Sequence, residues 1–100
     1  MAGGKDNAYN IDIINKARGL GYKIVLMCHR GSCGVRLTSA KFYDCGSVED
    51  LEDVTSYIYS NYIEGKNRNL HGYGVSLGAS LFTLYLIKKG SDSVFKCVAT

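Results

Sequence analysis

Apolar residues along the chain fall into short continuous runs and into stripes at helical spacing. The runs at 22–28 and 94–99 are rich in branched side chains and too short for buried helices. The first of these runs predicts a strand that is buried on both faces, and the second predicts another apolar strand. A shorter run at 70–75 contains glycine and predicts a third strand.

Three other segments carry apolar residues on helical spacing, and they predict helices at 7–18, 48–61 and 77–89. Ser47 and Asp50 have the spacing of a capping box at the start of the second helix. The side chains expected in the core of the second and third helices are Leu51, Val54, Ile58, Tyr62, Leu81, Leu84, Tyr85 and either Leu86 or Ile87.

Helices and strands therefore alternate along the chain, which is typical of an α/β layer. Strands that alternate with helices lie parallel, because each helix carries the chain back to the same end of the sheet. The sequence thus predicts three parallel strands alternating with three helices. One hundred residues are enough for one domain at most.

Composition and charge exclude several classes of protein. With 46% hydrophobic residues, the chain has the composition of a globular protein. Its net charge is only +3, and its basic residues do not form a stripe that could bind the phosphates of a nucleic acid. No apolar run is long enough to span a bilayer, and the N-terminus lacks a signal sequence. The four cysteines are expected to be reduced, and their spacing does not indicate a metal site.

The stretch HGYGVSLGAS, residues 71–80, contains the pattern G-x-S-x-G between a predicted strand and a predicted helix. At such a junction the pattern forms a nucleophile elbow, in which a strained serine exposes its hydroxyl above the sheet. Side chains at Gly74 and Gly78 would collide across the turn, and the N–H groups of the following helix would face a developing oxyanion. In the alternative interpretation, the glycines only end the strand and Ser76 caps the helix.

Longer motifs around this stretch are more specific. HGYGVSLGASLFTLYL resembles the pattern G-V-S-L-G-[GA] followed by N-x-L-x-x-Y-L, although Ser80 stands where asparagine is usual. GYKIVLMCHRGSCG resembles G-Y-R-V-V-V-x-N-x-R-G-x-x-G, and AGGKDNAY resembles the end of the loop H-G-L-x-G-G-S. Together these motifs resemble the α/β-hydrolase superfamily, in the esterase/lipase branch that includes medium-chain phospholipases and monoacylglycerol lipases.

The resemblance implies a serine hydrolase that acts on lipid or fatty acyl esters without a cofactor. Ser76 would be the nucleophile, and the N–H of Leu77 would form one half of the oxyanion hole. The other half would come from the first residues, about Met1 and Ala2. Some members of the group transfer the acyl group to an alcohol instead of water. Membrane association of the whole protein stays open.

A serine nucleophile needs a base, and in this fold an acid and then a histidine follow the serine. After Ser76 the sequence contains one acid, Asp92, and no histidine. His71 would lie about 16 Å away along an extended strand, and His29 ends another predicted strand. We therefore expect the chain to be a single incomplete domain, 1–100, from the middle of a larger hydrolase, and to be inactive alone.

Two alternatives remain open at this point. The chain could be a non-catalytic fragment or binding module that keeps the elbow without its chemistry, and a histidine further along the sequence would argue against this. It could also be a small flavodoxin-like protein that binds an anion, which would require a strand before the glycine-rich start.

Overall fold

The computed structural model describes residues 8–100, and the chain forms two units that meet in sequence between Tyr43 and Asp44. The first unit contains one described helix, α1, at Ala8–Gly19. The second unit, Asp44–Thr100, contains all the other helices and both strands of the described residues.

Helix α1 ends in a glycine-based capping arrangement, as its sequence predicts. Tyr22 donates its N–H to the carbonyl of Ala17 at 3.0 Å, and Gly21 donates to Arg18 at 3.0 Å. This pair of bonds forms a Schellman motif, and it requires a left-handed residue, here Gly21 with φ of 88°. The predicted start at residue 7 lies outside the described residues.

The strand predicted at 22–28 is not present, and this part of the fold prediction is corrected. The segment forms no helix or strand, and its large apolar side chains are solvent-accessible, with Val25 60% and Leu26 46% exposed. A parallel strand takes all its hydrogen bonds from its neighbours. Residues 22–28 have no such neighbour among the described residues, so their composition alone does not make them a strand.

The prediction that all cysteines are reduced is wrong for one pair, because Cys28 and Cys33 form a disulfide. The intervening residues turn tightly, with the N–H of Ser32 donating to the carbonyl of His29 at 3.0 Å. This turn brings the two Cα atoms to 6.0 Å, which is within the range that a disulfide requires. Cys45 and Cys97 are free thiols, and both are exposed.

In the second unit, the predicted helix 48–61 is two consecutive helices of different type. Helix α2 covers Glu49–Ile58, and a π-helix continues from it over Tyr59–Ile63. The N-cap residue is Val48 and not Ser47, and it makes no capping hydrogen bond through its side chain. Acidic residues fill the first turn of α2, where the helix dipole favours negative charge.

The sheet has two parallel strands, β1 at Leu70–Tyr73 and β2 at Phe95–Ala99, joined through helix α3 at Leu77–Lys89 and a 3₁₀ turn at Gly90–Asp92. Gly72 pairs with Val98 and Tyr73 with Ala99. The chain is therefore mixed α/β, with parallel strands connected through a helix, as predicted. The predicted limits of α3 match those of the structure.

The core of the second unit forms where α3 packs against α2 on one side and against the strands on the other. The buried residues of this core are Leu51, Thr55, Leu81 and Tyr85. The rings of Tyr85 and Phe95 meet edge to face with centroids 5.4 Å apart, which attaches α3 to the start of β2. Other expected core residues are solvent-accessible, including Tyr62 at 48% and Ile87 at 75%. Over residues 8–100, no helix has the length and apolar character needed to cross a membrane.

Candidate functional site

The turn between β1 and α3 places Ser76 in an unusual backbone conformation. Its φ is 57° and its ψ is −117°, at the residue immediately before the first turn of α3. A residue with a Cβ atom adopts this conformation only at a cost, because the side chain crowds the backbone. Ser76 is exposed, so the strained turn presents a serine to solvent at the C-terminal end of a parallel strand.

The strained turn depends on the absence of a side chain at Gly74. A Cβ atom there would lie 2.6 Å from the carbonyl carbon and oxygen of Gly78 and 2.7 Å from Cδ2 of Phe82. A Cβ atom at Gly78 would have no neighbour within 4 Å. The steric reason for two glycines in the motif therefore applies at Gly74 and not at Gly78.

Backbone hydrogen bonds hold the two sides of the turn. The N–H of Gly74 donates to the carbonyl of Ala99 at 2.9 Å, which continues the pairing of the strands. The N–H of Gly78 donates to the carbonyl of Val75 at 3.0 Å, and Ser80 donates to the carbonyl of Ser76 at 3.2 Å. The turn is thus fixed by the sheet on one side and by the first turn of α3 on the other.

The hydroxyl of Ser76 does not cap the helix that it precedes. A serine at the N-cap of a helix ordinarily accepts a hydrogen bond from an N–H group two or three residues later. Ser76 does not make this hydrogen bond, so the structure does not support its interpretation as a simple capping residue. N–H groups in the first turn of a helix have no acceptor within that helix, and Leu77 is the first residue of α3.

The two histidines and Asp92 lie in different elements of the chain. His71 is an exposed residue of β1 paired with Cys97, five positions before Ser76. His29 belongs to the first unit, where its ring stacks on Tyr43 with centroids 5.0 Å apart. Asp92 is exposed in the 3₁₀ turn after α3.

The remaining predicted site residues are the two at the start of the chain. Met1 and Ala2, expected to form part of the oxyanion hole, lie outside the described residues. Gly31, in the stretch GYKIVLMCHRGSCG, has φ of 74°, and a Cβ atom there would lie 2.5 Å from Cε2 of Phe42 and 3.2 Å from Cδ2 of Leu37. Within residues 8–100, no group of three or more His, Cys, Asp or Glu side chains is close enough to hold a metal ion.

An ion-pair cluster that the sequence analysis did not predict joins α2 to α3. Glu52 accepts from Lys88 at 2.6 Å and from Lys89 at 2.9 Å. The hydrogen bond from Lys88, followed by that from Lys89, lowers the pKa of the Glu52 carboxyl below its ordinary value. The same contact raises the pKa of Lys89. The acidic start of α2 and the basic end of α3 can each be read from the sequence. Their pairing depends on how the two helices pack.

An exposed serine in a strained turn between a parallel strand and a helix does not by itself define a protein family. Comparisons with known proteins show which proteins this chain is similar to. The chain is 32% identical over all of its 100 residues to phospholipase ABHD3 of Bos taurus and to that of Homo sapiens. It is 29% identical over 86 residues to the embryogenesis-associated protein EMB8 of Picea glauca. None of the family models matches the chain, and neither does any solved structure.

The matches confirm the predicted relationship, and the chain is related to the α/β-hydrolases. They cover 100% of the chain but only 24% of the length of each phospholipase. For EMB8 the corresponding shares are 86% of the chain and 18% of the relative. The chain therefore spans about a quarter of the length of the phospholipases that it matches.

Proposed function

We propose that this chain carries the nucleophile of a serine hydrolase that acts on lipid or fatty acyl esters, with Ser76 as the attacking residue. The observation that carries the proposal is the backbone of Ser76, with φ of 57° and ψ of −117° between a parallel strand and a helix. A serine held in this way projects its hydroxyl away from the sheet, toward a bound acyl carbon. The lipid substrate class rests on the phospholipase relatives.

In the proposed reaction, the Ser76 hydroxyl attacks the ester carbonyl while a base accepts its proton. The carbonyl oxygen becomes negative, and the N–H of Leu77 at the start of α3 donates to it. The dipole of the helix adds to this stabilisation because its positive end faces the same position. Met1 and Ala2 would supply the second donor, and the base and its acid partner would come from outside the 100 residues.

A fluorophosphonate probe tests the proposal, because it forms a phosphorus–oxygen bond with an activated serine and releases fluoride. We would replace the matching segment of human phospholipase ABHD3 by this chain and measure labelling and ester hydrolysis of the chimera. We expect labelling at Ser76, its loss in Ser76→Ala, and its retention in Ser80→Ala. Ser80 is a matched control because it is also an exposed serine, four residues after Ser76 and in the first turn of α3.

A chimera that unfolds with the same midpoint as the human enzyme but is neither labelled nor active would contradict the proposal. The non-catalytic alternative, in which the turn is kept for binding or structure, would then be the better explanation. The 100-residue chain alone should react far more slowly than the chimera, because its serine would lack a base.

A further inference from the structure

A cavity of about 390 Å³ opens in the second unit at the end of the sheet opposite Ser76. It is lined by the start of both strands, including Leu70 and Phe95, and by the π-helix through Tyr59 and Ile63. Strand β1 separates this cavity from the Ser76 turn by about 10 Å, since four residues of strand extend that far. The cavity is therefore distinct from the proposed catalytic turn, and its use goes beyond the proposed function.

The charged residues that line the cavity are all positive. Lys66, Arg68 and Lys96 line it, and no Asp or Glu of the described residues does. Three cations without a carboxylate among them create a local positive potential, which attracts an anion and is partly screened by salt. Lys96 lies on β2, while Lys66 and Arg68 lie on the turn after the π-helix, so cations approach the cavity from two elements.

Two of the three cations contact backbone carbonyls of the π-helix. Lys66 Nζ donates to the carbonyl of Asn61 at 2.7 Å, and an Arg68 guanidinium nitrogen donates to the carbonyl of Tyr62 at 3.5 Å. An ammonium group has three donors and a guanidinium has five, so each retains donors for a ligand. Side chains positioned in this way lose less entropy when they bind an anion.

Part of the cavity lining is apolar. Ile63, Leu70 and Phe95 contribute to it, and all three are half-buried. The Phe95 ring is fixed from behind by edge-to-face contacts with Phe82 at 5.3 Å and Tyr85 at 5.4 Å. A cavity lined by both apolar side chains and cations matches a molecule that has an apolar tail and a negative head group. A volume of this size is within the range of small-molecule sites.

We propose that this cavity, lined by Lys66, Arg68 and Lys96 and by the apolar side chains of Ile63, Leu70 and Phe95, binds a single-chain amphiphile with an anionic head group. The tail lies against Ile63, Leu70 and Phe95, and the three cations bind the head group. A carboxylate and a phosphate share this chemistry.

Titration calorimetry on the 100-residue chain tests the proposal with four probes below their micelle concentrations. Decyl phosphate and decanoate each combine an anionic head group with a tail, inorganic phosphate has only the charge, and decyl maltoside has only the tail. We expect decyl phosphate, decanoate or both to bind more tightly than the other two probes, and the stronger of the two identifies the head group. Equal binding of inorganic phosphate or of decyl maltoside would overturn the proposal.

Variants locate the binding. Lys96→Gln should weaken binding of the preferred probe about tenfold, as expected for the loss of one charge-assisted hydrogen bond. Lys16→Gln, the same change on exposed α1, should leave binding unchanged. In a parallel measurement, mass spectrometry after lysine acetylation should show protection of Lys66 and Lys96 relative to Lys16. Uniform protection, or none, would overturn the site whether or not a variant folds.

Discussion

Phe82 lies directly against Gly74, and this contact fixes the end of β1 to helix α3. A Cβ atom at Gly74 would lie 2.7 Å from Cδ2 of Phe82 and 2.6 Å from the backbone of Gly78. A Cβ atom at Gly72, two residues earlier along the chain, would likewise lie 2.7 Å from Cε1 of the same ring. The Phe82 ring on α3 therefore fills the space beside both Gly72 and Gly74. These glycines lie just before the strained Ser76.

The first prediction is that Gly74→Ala destabilises the second unit by about 2 kcal/mol, the usual cost of forcing a methyl group into filled space. The Phe82 ring can rotate away, but the backbone of Gly78 cannot. Urea unfolding followed by circular dichroism measures the change. Gly78→Ala is the matched control, and because its Cβ meets nothing within 4 Å we expect a change within about 0.5 kcal/mol. An equal loss of unfolding free energy in Gly74→Ala and Gly78→Ala would contradict the prediction that only Gly74 lacks space for a side chain.

The second prediction concerns the strain at Ser76. Glycine adopts a φ of 57° without crowding, so Ser76→Gly should be more stable than Ser76→Ala by about 1 kcal/mol. Both variants lack the hydroxyl, so the comparison separates the backbone conformation from the loss of the side chain. Thermal unfolding of the two variants gives the difference. If the alanine variant were the more stable, Ser76 would not have this strained backbone conformation.

The parts of the fold that the sequence predicts are those fixed by local interactions. Helix α3 begins after a strained serine and ends before a glycine, and its limits of Leu77–Lys89 match the prediction. The Schellman motif after α1 is likewise encoded by a single residue, Gly21. Such signals involve neighbours in sequence, so no knowledge of the rest of the fold is needed to find them.

The parts that the sequence analysis missed depend on partners distant in sequence. Residues 22–28 have the composition of a buried strand, but a strand forms only beside another strand. The pairing of Glu52 with Lys88 and Lys89 required the packing of two helices. For the candidate site, sequence pattern identified Ser76 and Gly74, whereas the open space at Gly78 was visible only in three dimensions.

The third prediction follows from the ion pairs of Glu52. Its carboxyl pKa is lowered in the folded chain, so its contribution to stability is present above its ordinary pKa of 4.5 and is lost as the pH falls through the lowered value. The pKa of Lys89 is raised from 10.5, so that contribution is present below 10.5 and is lost at higher pH. Wild type should therefore be more stable than Glu52→Gln between these limits, and the difference should disappear at both extremes.

Thermal unfolding as a function of pH measures this difference. The ion pairs of Glu52 lie near the surface, so 1 M salt should strongly reduce the stability difference between wild type and Glu52→Gln. At this salt concentration charges are screened over about 3 Å. Asp53→Gln is a suitable control, because Asp53 is an exposed neighbour on the same helix while Lys88 and Lys89 both bind Glu52. A difference that persists below the lowered pKa of Glu52 would mean that the glutamine disturbs packing instead of charge.

The fourth prediction is that alkylation of the native chain modifies two cysteines and leaves two unmodified. Cys45 and Cys97 are exposed free thiols, whereas Cys28 and Cys33 are joined to each other. Iodoacetamide should therefore label only Cys45 and Cys97 before reduction and all four cysteines after reduction, and peptide mass spectrometry identifies the labelled residues.

Closing so short a loop stabilises the turn by about 2 kcal/mol on chain-entropy grounds. Reduction should therefore speed amide hydrogen exchange at Ser32 and Val35, which donate to the turn carbonyls. Exchange at Ser80, in the second unit, serves as the internal control, and labelling of all four cysteines before reduction would contradict the disulfide.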